Sequence, residues 1–292
     1  MKFHFIHEHR HLFPILRMCQ VLDVSENGYY NWRTRGKSKR KRDDEQLAER
    51  IEDAYQKNRG KYGSPRIHAE LQAQGVHCGR KRVARLMRER QLSAGKKRRK
   101  ARTTNSHHRF PIASNLLKRD FTADAPNKKW VADITFIETR EGWLYLSGVL
   151  DTYSRKIVGW AMDKYHDAEL VKTALQMALL NRHPTAGLIH HSDRGSEYAS
   201  TSYQLLLQEQ NIPASMSNTG DCYDNAMIES FWATLKEECC GQTIFVSRNE
   251  AKATIFEYIE VYYNRKRIHS SLGYASPVDY EKQGEQGKEM FS

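Results

Sequence analysis

The stretch 130–163 constrains the fold more than any other part of the chain. It holds three runs, WVADITFIET, WLYLSGVLD and KIVGWAMD, each rich in β-branched and aromatic residues. The breaks between them, at Arg140-Glu141-Gly142 and at 152–155, are too short to carry a crossover helix. Three consecutive antiparallel strands are therefore expected. Beyond them the pattern alternates: AELVKTALQMALLN is helical, LIHHSD a short strand, SYQLLLQEQN a helix and IPASMS a strand, followed by two long helices near 223–238 and 249–265. This order predicts an α/β unit, a mixed five-stranded sheet with helices packed on it, over 127–280. A C-terminal tail is expected over 281–292.

The preceding part is built differently. Residues 1–126 contain 30 Lys+Arg and 13 Asp+Glu, a net charge of +17, whereas 127–292 contain 17 and 22, a net of −5. A basic front half joined to a near-neutral or acidic back half points to a polyanion-binding arm. Its helical signals come in short pieces. Residues 14–34 read as two short helices, the second capped by Ser25, within an N-terminal region of 1–36. In 37–92, Leu47, Ile51, Ala54 and Tyr55 form one apolar stripe, and Ser64-Pro65 opens a helix that carries Ile67 and Leu71. RKRVARLMRERQ then sets Val83, Leu86 and Met87 inward and Arg80, Lys81, Arg82, Arg85 and Arg88 outward. A helix, a Gly-containing turn and a basic helix make an all-α helix-turn-helix region whose last helix suits a major groove. The run RTRGKSKRKR (33–42) reads as a solvated linker or a phosphate-contacting arm, and 93–126 as a basic linker. His4, His7, His9 and His11 fall in a segment read as a solvated, partly disordered end, with no zinc expected there. The five cysteines form no CxxC pair, which argues against a zinc ribbon or a disulfide framework and fits a reducing cytoplasm. No run approaches the length of a membrane span.

Three carboxylates carry the chemistry. Asp133 interrupts an apolar strand, alternating onto one face with Val131 and Thr135, and a carboxylate there is costly unless paired or bound to a cation. Asp193 follows the strand LIHHS, at the edge where open α/β sheets place ligands. Glu229 shares a helical face with Asn225 and Lys236. Taken singly, Asp193 also suits a turn former or cap, and Glu229 an exposed helix position. Jointly, with 59 residues between the first two and 35 between the last two, each lies on an element able to reach one sheet edge.

The residues carrying these acids resemble a known family. Trp130-Val131-Ala132-Asp133-Ile134-Thr135, Val149-Leu150-Asp151, His191-Ser192-Asp193-Arg194-Gly195-Ser196-Glu197-Tyr198 and Asp224-Asn225-Ala226-Met227-Ile228-Glu229-Ser230-Phe231 are similar to the second-frame protein of the insertion-sequence-three family. These bacterial mobile-element proteins are related to retroviral integrases. Tyr263-Asn264-Arg265, His269-Ser270-Ser271-Leu272-Gly273-Tyr274 and Ser276-Pro277 extend the resemblance, as do Tyr62-Gly63-Ser64-Pro65-Arg66 and residues 80–92 upstream. It implies a ribonuclease-H-like, integrase-type core and a DNA transposase that cleaves 3′ ends and transfers strands at two Mg²⁺ ions, with Mn²⁺ as a substitute. Asp133 would hold both ions, Asp193 and Glu229 one each, and Lys236 a phosphate near the terminal base pairs. The implied partners are terminal inverted repeats and target DNA, further copies of the chain on that DNA, and a first-frame protein or its frameshift fusion, in a bacterial cytoplasm at the nucleoid. Asp151 reads as a structural strand-end acid. No zinc is carried over, because the His/Cys spacing that opens retroviral integrases is absent. Two other readings share the fold: a DNA-binding regulator with a dead site, and a nuclease that cuts without joining.

Overall fold

The computed structural model describes residues 1–36, 38–94, 110–218, 222–241 and 244–289. The chain opens with three helices, α1 (Lys2–His9), α2 (Ile15–Val21) and α3 (Glu26–Thr34), around a small core of Ile6, Met18, Cys19 and Tyr29. The histidine-rich start is thus a helix, mostly exposed, and not a disordered end. Phe3, Ile6 and His7 fall on one stripe, Ile6 is fully buried, and His7 Nδ1 lies 3.3 Å from the Tyr29 hydroxyl. Ser25 caps α3 by accepting the Gly28 N–H at 3.0 Å.

The next three helices, α4 (Lys39–Lys57), α5 (Ser64–Ala73) and α6 (Arg80–Glu89), bury the expected residues Leu47, Ile51, Ala54, Ile67, Leu71, Val83, Leu86 and Met87 in one cluster. The basic run at 33–42, exposed at its described residues, is helical at both ends: α3 ends at Thr34 and α4 already begins at Lys39, with Ser38 accepting the Lys41 N–H at 3.2 Å. With no apolar residue in its first two turns, α4 gives no periodic signal there, and the cap is the only cue. Of the expected linker 93–126, residues 95–109 lie outside the described residues. The Ser93 carbonyl accepts from the Tyr55 hydroxyl of α4 at 2.7 Å, while further on Leu117 is buried against the core and the Leu116 N–H donates to Ser215 Oγ at 2.9 Å.

The sheet contains β1 (Lys129–Thr139), β2 (Gly142–Asp151), β3 (Ile157–Asp163), β4 (Ile189–Ser192) and β5 (Ala214–Met216), in the order β3-β2-β1-β4-β5. The first three pair antiparallel, as expected of the meander, and β1–β4 and β4–β5 pair parallel. One face is covered by α7 (Ala168–Arg182), α8 (Ser196–Ala199) and α9 (Thr201–Glu209) through Trp130, Ala132, Val149 and Val158. The other is covered by α10 (Ala226–Leu235) and α11 (Arg248–Phe256) through Val131, Leu144, Leu146 and Leu150. Alternation along β1 thus sorts Val131 and Ala132 to opposite sides. The two long helices expected near the end each change pitch: α10 runs into a π-helical stretch, Lys236–Cys240, and α11 into another, Glu257–Tyr263.

A last helix, α12 (Pro277–Glu289), crosses the tail boundary expected at 281. Glu281 is 7% exposed and accepts from Ser154 Oγ at 2.8 Å, from Lys156 Nζ at 3.1 Å and from both terminal nitrogens of Arg182 at 2.9 Å. The core therefore continues into α12. The helical region docks on it: Tyr62 is fully buried and its hydroxyl accepts the Ile268 N–H at 2.9 Å. Among the described residues no helix is long and apolar enough to cross a membrane.

Candidate active site

The central parallel pair brings two acids together. β1 and β4 are in register from Lys129 opposite Ile189 to Val131 opposite His191, and Asp133 and Asp193 each follow that last pair by two residues, both at the mouth of one cavity. Adjacent strands lie about 4.8 Å apart. Asp193 follows the last residue of β4, and its Oδ1 accepts the Gly195 N–H at 2.9 Å at the turn into α8. Asp133 is half-buried on the α10 side, where the Trp232 indole N–H donates to its Oδ2 at 3.0 Å. Burial, then the charge of Asp193 and more weakly that of Glu229, lift the Asp133 pKa well above the carboxylate range, against hydrogen bonds from the Ile134 N–H and Trp232.

Glu229 lies one turn before Trp232 on α10. The start of this helix is fixed to β1 by Asn225, whose side-chain amide donates to the Ala132 carbonyl at 3.0 Å. Further along, Trp232 lies over Gly148, the β2 residue opposite Asp133. A Cβ at Gly148 would stand 2.7 Å from Trp232 Cη2, so only glycine admits the indole. Lys236 holds its ammonium 4.5 Å from the centre of the Phe136 ring; burial lowers its pKa, and Cys240 and Asp133 oppose that shift.

A cavity of about 390 Å³ opens over the two aspartates, with Phe136, Trp143, Tyr145, His166 and Glu197 among its walls. Glu229 acts on Asp133 through its charge but does not line this cavity. Glu197 does. It accepts from Ser196 Oγ at 3.0 Å and lies 3.6 Å from His166 Nε2, and the His166 ring stacks on Tyr145 at 5.1 Å. Glu197 stands in the motif 191–198 with no role legible in the sequence, and neither Trp232 nor Gly148 carries a signal there. His166, in the loop between β3 and α7, carried no signal. The polar strand around His190 and His191 is satisfied internally. His190 Nε2 lies 3.0 Å from the Tyr203 hydroxyl, and the two ring nitrogens of His191 lie 2.8 Å and 3.2 Å from Ser215 and Ser217 Oγ. Asp151 is fully buried and accepts the Asn127 and Tyr153 N–H groups at 2.7 Å and 2.9 Å, in keeping with a structural strand-end acid.

Among the described residues no three His, Cys, Asp or Glu side chains converge to enclose one cation. The donors nonetheless fit a hard divalent ion. Asp133 and Asp193 are paired carboxylates at the mouth of a cavity, one of them ionised only at a cost, and Mg²⁺ is commonly held by one or two carboxylates plus waters.

On α6, Arg80, Lys81 and Arg88 are exposed. Arg82 and Arg85 are not free cations, because each bonds Asp44 of α4 at 2.6 Å, and Arg85 also bonds Glu89 at 2.8 Å. An acid 38 residues upstream of Arg82 in sequence is brought onto the basic face by the fold.

Comparison with known proteins agrees with this layout. Families described as integrase core domain match residues 123–222 and 210–277, and one described as HTH-like domain matches 41–101. An uncharacterized 31 kDa protein of insertion element IS600 from Shigella sonnei is 48% identical, covering 91% of this chain and 97% of that protein. Transposase InsF for insertion sequence IS3A from Escherichia coli (strain K12) is 43% identical, covering 96% and 98%. A chain of the simian T-cell lymphotropic virus intasome is 15% identical with a TM-score of 0.46, covering 73% of this chain and 69% of that one. With relatives matched over nearly their full length, and HTH-like and integrase core domains in succession, the chain belongs to the insertion-sequence-three family of transposases, polynucleotidyl transferases of the Asp-Asp-Glu type.

Proposed function

We propose that the chain frees 3′-hydroxyls at the ends of an insertion sequence and joins them to target DNA, with Asp133, Asp193 and Glu229 as the catalytic carboxylates. The observation that supports this best is that Asp133 and Asp193 share the mouth of a cavity, where burial and then the charges of Asp193 and Glu229 raise the Asp133 pKa. Asp133, Asp193 and Glu229 would hold two Mg²⁺ ions, or Mn²⁺ in their place, and the metal would supply charge stabilisation to the attacking and leaving oxygens. The protein's own part is positioning. The Trp232 N–H orients Asp133 and the Gly195 N–H orients Asp193, while Lys236 stands beside them for a phosphate of the terminal base pairs. In the first step a water oxygen bonds to phosphorus, the P–O3′ bond breaks, and the departing oxygen takes a proton as a free 3′-OH. In the second, that 3′ oxygen bonds to the phosphorus of another phosphodiester and displaces its 3′ oxygen. Arg80, Lys81 and Arg88 on α6 are the duplex contacts of the helical region in this reading. The chain works as an oligomer on DNA, with the first-frame protein or as its fusion.

The test is an end-cleavage and joining assay on a matched terminal-repeat duplex in Mg²⁺ or Mn²⁺, with the chain alone and fused to its first frame. Asp193→Asn and Glu229→Gln are expected to lose both steps while still binding DNA, and Glu197→Gln to keep them. Activity in Glu229→Gln with loss in Glu197→Gln would move the third carboxylate to the cavity wall. Cleavage without joining would make the chain a nuclease, and binding without either step a regulator.

A further inference from the structure

The motifs that strand cutting leaves unused meet in one place. On the side of α10 away from Asp133, a second cavity of about 190 Å³ is lined by Ser230 and Thr234 of that helix, by Arg66 of α5, by Arg155 of the β2–β3 turn, and by Arg267 and Ser271 before α12. Its charges do not cancel. Arg267 is matched by Glu238, which it bonds twice at 2.7 Å and 2.8 Å, and Arg66 stands 3.8 Å from that same carboxylate. His269, also in the wall, stays neutral: burial and then Arg267, Arg155 and Arg66 hold its pKa down at about 2. Asp151, the nearest acid in sequence to Arg155, is already engaged by Arg182 at 3.4 Å. Among the described residues one carboxylate, Glu238, therefore faces three guanidinium groups, among hydroxyls and in a half-enclosed space. Arg155 reaches this wall from a left-handed backbone position, φ 61°, at the turn.

We propose that this cavity binds a phosphate group, and that in the working protein the group is a backbone phosphate of DNA running between α6 and the carboxylate site. Guanidinium forks match phosphate oxygens bidentately, and hydroxyls supply the remaining donors. Because Arg66 belongs to the helical region and the other lining residues to the core, a bound phosphate bridges the two. The DNA assignment rests on the function proposed above, whereas the phosphate assignment does not.

Two measurements on the full-length chain test it. One is the salt dependence of binding to a random-sequence duplex, and the other is thermal stabilisation by inorganic phosphate against chloride at matched ionic strength. Arg155→Gln is expected to lower the log–log salt slope by about 0.9, the loss of one phosphate contact, and to abolish the stabilisation by phosphate. Ser271→Asp, which sets a carboxylate at the exposed rim, is expected to do the same and decides the matter if Arg155→Gln fails to fold. Lost stabilisation with an unchanged slope supports the phosphate site and assigns it to free phosphate instead of the duplex. Unchanged slope and unchanged stabilisation in a folded variant overturn the proposal. If the wild-type chain binds no duplex at all, the DNA reading fails by itself and the phosphate arm still decides the cavity.

Discussion

Asp133 depends on two neighbours that carry no charge. Gly148 leaves the space, and Trp232 fills it with an indole whose N–H ends on Asp133 Oδ2 at 3.0 Å. Trp232→Phe keeps an aromatic over Gly148 and removes only the donor. It is expected to fold normally and to lower cleavage and joining about 10–100-fold, the usual cost of losing a group that orients a metal ligand. An unchanged rate in single-turnover assays would reduce Trp232 to packing. Asp133 was legible in the sequence because a carboxylate in an apolar strand demands an explanation. Trp232 and Gly148 were not, because each is an ordinary choice for its own element, and their meaning exists only where α10 crosses the sheet.

Elements show the same division. The meander and the crossover strands were legible from period and loop length, whereas α1 was hidden by histidines and the start of α4 by a run without apolar residues. β4 carries a buried imidazole with a consequence for acid stability. His190 sits at a pKa of about 3, lowered by burial and then by His191, against about 6.5 when free. Above about pH 6.5 neither state binds the proton; between there and pH 3 the unfolded chain does and the folded chain does not, so stability falls as pH falls. Unfolding free energies from urea titrations at about pH 7 to pH 5 are expected to drop less steeply in His190→Gln, by up to about 1.4 kcal/mol per pH unit. Parallel slopes would show that this imidazole does not gate acid unfolding. On α6 the sequence displayed five cations but not Asp44, whose own pKa is lowered by hydrogen bonds from Arg85 and Arg82. Asp44→Asn is expected to tighten duplex binding and steepen its salt slope, while alanine at Arg80, Lys81 and Arg88 flattens it by about 0.9 per contact. If Arg82→Ala and Arg85→Ala flatten it equally and Asp44→Asn changes nothing, the pairing does not withhold those side chains from DNA.

At the scale of the whole molecule, the boundary between core and tail was the least legible, since PVDYEKQGEQGKE shows no apolar run to mark burial. The fold instead seats Glu281 among Arg182, Lys156 and Ser154. Glu281→Ala takes the shared acceptor from the half-buried Lys156 and Arg182, the latter keeping Asp151, and is expected to cost about 1–3 kcal/mol in urea unfolding. A loss below about 1 kcal/mol would mark the cluster as a solvated surface bridge. The linear order of the parts has a further consequence. Helices α4–α6 precede Asp133 and Asp193 in the chain, and Glu229 comes only with α10, while domains generally fold in the order they are made. On the function proposed above, the growing chain therefore acquires its grip on DNA before its third carboxylate. A product that stops short of Ala226 is then expected to occupy the same DNA as the finished protein with an incomplete centre, and so to compete with transposition and not to cut in part.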